Sequence, residues 1–224
     1  MLYVYAITEC DRIPGILGLH GAPVRTVGKQ GLFAVVSDHD ELQLEPNEDE
    51  LWAHENVVED LMDRGSVLPM RFGSGLADDG AVIRVLDERR SELATALERV
   101  RGAVELSVRL AIASEPESLQ ERSPASDQAG PGTAYLLDRL RHERHENEMT
   151  SQIHEHLASL ARASTSWSGD SGRRLWKAAY LVSDERLDAF AEQVNSLDTQ
   201  LNGGTVLCTG PWPPYSFSSG GATS

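Results

Sequence analysis

The chain has 224 residues, 40% of them hydrophobic, which suffices for the core of one large domain or two small ones. Its formal net charge of −15 argues against nucleic acid and anionic membrane partners, because both favour Lys and Arg. The two cysteines, Cys10 and Cys208, lie too far apart to indicate a disulfide framework or a zinc motif, and no basic leader or long apolar run is present. We therefore expect a soluble cytoplasmic protein.

The first hundred residues predict the order β-β-α-β-α. Residues 2–7 and 32–36 are β-rich apolar runs that indicate buried strands. A helix is predicted over residues 48–64 from helical spacing and an acidic first turn. Residues 66–73 contain Pro69 and predict an edge strand or a bulge. A second helix follows over residues 79–99. The side chains expected to face inward from these helices are Leu51, His54, Val57, Val58, Leu61 and Met62, then Val82, Val85, Leu86, Leu93 and Leu97.

The clearest strand pattern covers residues 102–112, where apolar and polar side chains alternate. Residues 114–132 are rich in Ser, Pro, Gly and charge, and predict a mobile loop. One face of the strand should carry Val104, Leu106, Val108, Leu110 and Ile112, and the other Glu105, Ser107 and Arg109.

The rest of the chain predicts two helices that alternate with strands. Helices are expected over residues 133–163 and 184–201, and strands over 175–182 and 205–209. From residue 101 onwards the order is therefore β-α-β-α-β, which indicates helices layered on a sheet. The inward side chains should be Leu136, Leu140, Ile153, Leu157 and Leu160, then Leu187, Phe190, Val194 and Leu197.

The segment that follows the last strand is Gly-Pro-Trp-Pro-Pro-Tyr-Ser-Phe, residues 210–217. Proline fixes φ and removes a backbone donor, so this run must be extended or turned. Its three aromatic side chains should pack on something, because exposing them to water is unfavourable. Such a segment is better suited to docking than to chemistry.

The histidines do not predict a metal site. His142 and His145 are three residues apart, and His154 and His156 two apart, whereas a helical zinc signature needs i and i+4 with an intervening Glu. His54 falls on the apolar face of its helix without an identifiable nucleophile or carboxylate partner. We interpret it as a packing histidine rather than a general base.

Arg71 lies between Met70 and Phe72 in an apolar extended run. Three interpretations stay open: a phosphate ligand, an internal ion pair, or a contact at a partner surface. The sequence has no Gly-rich phosphate loop and no nucleophile elbow. We therefore expect no enzymatic activity, no catalytic residue and no cofactor.

Four stretches, in order, resemble the gas vesicle protein F/L family, accessory proteins of gas vesicle assembly. They are the opening strand Tyr-Val-Tyr-Ala at 3–6, the His54 helix that leads through Gly65 to Leu-Pro-Met-Arg-Phe-Gly at 68–73, the strand at 104–108, and Thr-Gly-Pro-Trp-Pro-Pro-Tyr-Ser-Phe at 209–217. The last is the most specific. The third is weaker, because family members often have an aromatic residue where this chain has Leu106.

The resemblance implies an α+β fold with two domains. Residues 1–100 would form a sheet-and-helix domain, and residues 101–224 a modified ferredoxin-like domain with a Pro/aromatic C-terminal tail. It also implies a non-enzymatic role at the gas vesicle, in which the protein binds the hydrophobic major shell protein and other accessory proteins during nucleation and growth. The family brings no catalytic or metal-binding residues.

Two hypotheses for a site follow. In the first, partners bind through residues of the 68–73 and 209–217 motifs; in the second, a small-molecule or enzymatic site lies near His54 and Arg71. For the C-terminal aromatics, an alternative is that they only cover the junction of the two domains. The partner-binding residues of the first hypothesis are Arg71, Phe72, Trp212, Pro213, Pro214, Tyr215 and Phe217.

Overall fold

A computed structural model describes residues 1–13, 15–41, 46–111, 131–168, 175–201 and 204–218. The chain divides into two compact units. The first comprises Met1–Leu106, Leu181–Asp184 and Thr209–Ser224, and the second Ser107–Tyr180 and Glu185–Cys208. The C-terminal segment thus groups with the first unit, whereas we had assigned it to the second predicted domain. The domain boundary near residue 100 stays a prediction.

The first sheet is antiparallel and contains five strands among the described residues. Its order is β2-β3-β1-β4, with the short β5 also paired to β1. Every residue of β1 is buried, in agreement with the buried strand predicted over residues 2–7. β4 ends the order, as expected for an edge strand that contains proline. The bounds are β1 Leu2–Thr8, β2 Val24–Lys29, β3 Leu32–Asp38, β4 Val67–Pro69 and β5 Gly75–Leu76.

The sequence did not predict β2, because Arg25, Thr26 and Lys29 interrupt its apolar pattern. β2 and β3 form a hairpin whose two-residue turn is Gln30–Gly31, with φ of 53° and 76°. Two successive positive φ angles are what a hairpin turn of this length requires.

Helices α1 (Glu48–Met62), α2 (Asp79–Glu88) and α3 (Arg90–Val100) complete this part of the fold. The prediction of one helix over 79–99 was wrong, because the helix breaks at Arg89, where φ is −105° and ψ is 15°. No Gly or Pro marks this break. The two helices pack on different strands: α2 contacts β2 and β3, whereas α3 contacts β4. Tertiary packing therefore determines where the helix breaks.

The second sheet has the order β7-β8-β6-β9 and is also antiparallel. With its two helices it follows the order β-α-β-β-α-β, which is that of a ferredoxin-like fold. The α+β class is thus confirmed. The sequence did not predict β7, because its Ser and Thr residues give no apolar alternation. The bounds are β6 Ala103–Ala111, α4 Pro131–Ala158, β7 Ala163–Ser168, β8 Leu175–Ser183, α5 Leu187–Gln200 and β9 Thr205–Trp212.

Most of the described side chains predicted to face inward are buried or half-buried, but two are exposed. Leu51 is 40% exposed and Leu140 is 57% exposed. Helix α4 also ends at Ala158, five residues before the predicted end at 163. Ile112, most of the predicted loop over 114–132 and the side chain of Leu136 lie outside the described residues. Within the described part of the chain, no helix combines the length and apolarity needed to cross a membrane.

Gly28 in β2 offers a test of the hairpin geometry. A Cβ at this position would lie 2.2 Å from the Leu32 carbonyl oxygen and 2.7 Å from the Phe33 Cα. We expect Gly28→Ala to lower the free energy of unfolding by about 2 kcal/mol, because backbone atoms must shift to relieve the overlap. Gly65→Ala is the matched control, since a Cβ there meets nothing within 4 Å. Equal denaturation midpoints for the two variants would contradict the close approach.

Candidate functional site

The C-terminal segment is anchored within the first unit. β9 ends at Trp212, Pro213 and Pro214 are buried, and a 3-10 turn covers Tyr215–Phe217. The Phe217 side chain is buried, and its backbone carbonyl accepts a hydrogen bond from the Arg99 guanidinium of α3. The prediction that this run is extended and turned, and packed through its aromatics, is thus confirmed for Phe217.

A buried histidine connects this segment to the sheet. His54 on α1 places its Nδ1 2.8 Å from the Tyr3 hydroxyl and its Nε2 3.1 Å from the Met70 carbonyl oxygen. Because a carbonyl can only accept, Nε2 carries the proton and Nδ1 accepts from Tyr3. The Tyr215 hydroxyl lies 3.2 Å from the same Nε2 and donates to Glu55 Oε1 at 2.7 Å.

Burial keeps this histidine neutral. It lowers the pKa of His54 to about 4, although the hydrogen bond to the Met70 carbonyl opposes the change. Burial also raises the pKa of Tyr3 to about 12. His54 is 1% exposed and both ring nitrogens are hydrogen-bonded, which confirms its interpretation as a packing histidine.

Glu105 of β6 is hydrogen-bonded to the C-terminal segment. We had expected it on the polar face of this strand, yet it is only 8% exposed. Its carboxylate accepts two hydrogen bonds from Ser216, from the backbone N–H at 2.8 Å and from the hydroxyl at 2.7 Å. Burial raises the pKa of Glu105, and the bonds from Ser216 oppose this. The burial of Glu105 was hard to predict from the sequence, because a single Glu among apolar residues is equally compatible with an exposed face of the strand.

A groove of ≈ 490 Å³ lies between α1 and the C-terminal segment. Three of its apolar side chains reach solvent: Leu51 is 40%, Trp52 63% and Trp212 44% exposed. Leu51, expected in the core, lines this groove instead. The groove is lined by Leu51, Trp52, Trp212, Pro213 and Tyr215, and by Glu48, Glu55, Glu59 and Glu105.

The groove is negatively charged. None of its four carboxylates forms an ion pair with a Lys, Arg or His of the described ranges. Burial raises the pKa of Glu55; the hydrogen bond from Tyr215 opposes this, and the charge of Glu59 adds to it. The site thus combines an apolar floor with uncompensated negative charge.

The other predicted site residues lie apart from this groove. Arg71 is exposed, and its carbonyl accepts from the Ser74 hydroxyl at 2.7 Å. Its guanidinium pairs with no carboxylate of the described chain, so the internal ion pair is not observed. Phe72 is half-buried, with its ring 6.2 Å from Tyr3 and 6.0 Å from His54.

The structure therefore brings together only some of the predicted residues. Trp212, Pro213 and Tyr215 line the groove, whereas Pro214 and Phe217, which are buried like Pro213, do not. Neither His54 nor Arg71 lines it, which gives no support to a small-molecule site built on that pair. Over the described ranges, no cluster of three His, Cys, Asp or Glu side chains could hold a metal ion.

Comparison with known proteins gives a consistent result. A family model described as "Gas vesicle synthesis protein GvpL/GvpF" matches residues 1–219. "Gas vesicle protein F" of Streptomyces sp. (strain CB03234) is 34% identical, over 96% of this chain and 98% of its own length. "Gas vesicle protein L" of the same organism is 32% identical, over 96% of this chain and 92% of its own length. The similarity thus extends to both branches almost equally.

The fold also has a counterpart among solved structures. The crystal structure of GvpF from Anabaena sp. PCC7120 matches with a TM-score of 0.84, covering 97% of this chain and 98% of that chain. Because the sequence identity is 22%, this match supports a shared fold and carries no argument about function.

The buried His54 predicts a pH dependence of stability. Its pKa is about 4 in the folded chain against 6.5 when unperturbed, so the unfolded state binds more protons between these values, and stability falls as the pH drops. From about pH 7 to pH 5, we expect the wild type to lose about 2 kcal/mol more than His54→Gln. The raised pKa values of Glu55 and Glu105 act in the opposite direction in both proteins. Parallel stability profiles in urea denaturation would rule out this role for His54.

The two ends of the aromatic segment should differ in their effect on stability. Phe217 is 5% exposed and Trp212 is 44% exposed. We expect Phe217→Ala to lower the free energy of unfolding by about 3 kcal/mol, because it opens a cavity. Trp212→Ala should change it by less than about 1 kcal/mol. Thermal and chemical denaturation of both variants measure these changes in the free energy of unfolding. If Trp212→Ala destabilised the chain as much as Phe217→Ala, the assignment of Trp212 to the protein surface would be contradicted.

Proposed function

This chain belongs to the gas vesicle synthesis protein GvpL/GvpF family, and on that premise we propose that it binds the hydrophobic major shell protein during gas vesicle assembly. The family membership confirms the resemblance drawn from the sequence motifs and supports an accessory role in the gas vesicle machinery. In this proposal, other gas vesicle accessory proteins are further partners. The protein acts without catalysis, in the cytoplasm and at the growing vesicle.

The observation that carries the proposal is the exposed apolar groove. Leu51, Trp52 and Trp212 present large apolar side chains side by side to solvent. Grouped exposed apolar residues with polar groups at their edge are typical of protein interaction sites. Tryptophan in particular is enriched among residues whose removal weakens binding most.

The charge of the chain supports the same role. A shell subunit that is hydrophobic before assembly exposes apolar surface and aggregates when it is alone. A partner that covers part of this surface and carries a net charge of −15 would keep the complex in solution by electrostatic repulsion between complexes. The acidity thus has a use beyond the solubility of the chain itself.

Co-expression with the major shell protein tests this function. We expect shell protein to appear in the soluble fraction and to be captured with this chain. Trp52→Ala combined with Trp212→Ala should reduce the captured amount at least about tenfold, because both rings lie in the groove. Trp167→Ala is the matched control, since Trp167 is 51% exposed but does not line the groove. If the shell protein stayed insoluble while the co-expressed wild-type chain was soluble, direct binding would be refuted.

A further inference from the structure

We propose that the groove binds a cationic amphipathic helix of a gas vesicle partner, whose apolar stripe packs between Trp52 and Trp212 and whose Lys and Arg side chains meet the groove carboxylates. This inference rests on the proposed partner-binding function. It adds the chemistry of the bound segment and the residues that select it.

The hydrogen-bonding groups of the groove favour a helix over an extended peptide. The Trp212 Nε1–H donates to Thr209 Oγ1 at 3.3 Å, and the Tyr215 hydroxyl donates to Glu55. Two of the three aromatic donors that line the groove are thereby used inside the chain, the Trp52 Nε1–H is the third, and the carboxylates only accept. An extended or polyproline peptide presents backbone carbonyls that need donors, whereas a helix satisfies its own backbone and offers only side chains.

Strand addition is also disfavoured at this place. β9 ends the order of its sheet, and an exposed edge can pair with a further strand. Beside the groove, however, the strand ends in Pro211 and Trp212 and is followed by Pro213 and Pro214, and proline lacks the N–H that a β-ladder requires. A partner therefore has to bind here through its side chains.

The charges decide which helices can bind. Glu48 is exposed, Glu55 and Glu59 are half-buried, and Glu105 is buried, so the negative charge extends from the surface towards the floor of the groove. No cation of the described residues offsets it. Lys or Arg from a partner would offset this charge, and an acidic helix would be repelled. A single exposed ion pair adds little affinity, whereas like charges brought together are strongly unfavourable, so the carboxylates mainly set specificity.

The size of the groove suits a few anchoring side chains. A volume of ≈ 490 Å³ falls within the range of sites that enclose small ligands, and it is too small for a folded domain. Apolar side chains at i, i+3 or i+4, and i+7 of a helix would fill it in sequence, as in other helix-in-groove complexes. The helical partner thus supplies apolar anchors and flanking positive charge.

The test uses a labelled Leu/Lys/Ala peptide of about 18 residues, with Leu on one helical face and Lys on its flanks. A second peptide has Glu in place of Lys, and a third is a Lys-containing proline-rich peptide. Fluorescence anisotropy with the full-length chain should show binding of the first peptide alone. This binding should weaken as salt is added, because screening reduces the attraction of partly exposed charges.

Variants then locate the site. We expect Trp52→Ala and Glu59→Lys each to weaken binding of the cationic peptide at least about tenfold. Both side chains lie on the surface of α1, and circular dichroism confirms that the variants fold. Trp167→Ala and Glu88→Lys carry the same changes at exposed positions that do not line the groove, and should bind as the wild type does. Equal loss in groove and control variants would overturn the proposal.

The outcomes separate this inference from the proposed function. Failure of the wild type to bind the cationic helix, or preference for the acidic or proline-rich peptide, overturns the inference even if the shell protein is still captured. Capture of shell protein that is unaffected by Trp52→Ala and Glu59→Lys also overturns it and leaves the proposed function standing. Peptide binding that depends on the groove, without any capture of shell protein, supports the groove chemistry and refutes the shell protein as its source.

Discussion

The first unit depends on keeping one imidazole neutral and fully hydrogen-bonded in its interior. His54 joins three parts of the fold: Tyr3 in β1, the Met70 carbonyl after β4, and Tyr215 in the C-terminal segment. A neutral ring has one donor and one acceptor, and this arrangement uses both. A charged ring would remain buried without a carboxylate bonded directly to it, which is unfavourable. The position of α1, and with it one wall of the groove, follows from this constraint.

The same hydrogen bonds determine what the groove presents to solvent. Polar atoms of the C-terminal segment are hydrogen-bonded within the chain: the Tyr215 hydroxyl donates to Glu55, and Ser216 donates to Glu105. The lining of the groove keeps aromatic faces, Pro213, the Trp52 indole N–H and the remaining carboxylate oxygens. Such a surface can contact apolar side chains and cations but offers few donors. Because the polar groups of the segment are hydrogen-bonded within the chain, the surface that faces solvent favours apolar and cationic partners.

Sequence patterns predicted the elements that are stabilised by their own apolar periodicity, such as β1, β6 and α1. They did not predict β2 or β7, whose strand state depends on neighbouring strands, or the break at Arg89, which depends on what α2 and α3 pack against. At the site, the aromatic residues were predicted from composition. Glu105 and Leu51 were not assigned correctly: Glu105 is hydrogen-bonded to Ser216, far away in the chain, and helical spacing does not show that Leu51 lines a groove.

The long sequence separation of these contacts has a consequence for biosynthesis. Tyr215 meets His54 across 161 positions, and Ser216 meets Glu105 across 111. While the ribosome is still translating the second unit, the nascent first unit lacks the 215–217 turn, and α1 borders no finished groove. Proteins are made from the N-terminus, so this surface forms only after the 215–217 turn has been released. Incomplete chains would therefore not compete for partners, and binding would be restricted to molecules whose synthesis has reached this turn.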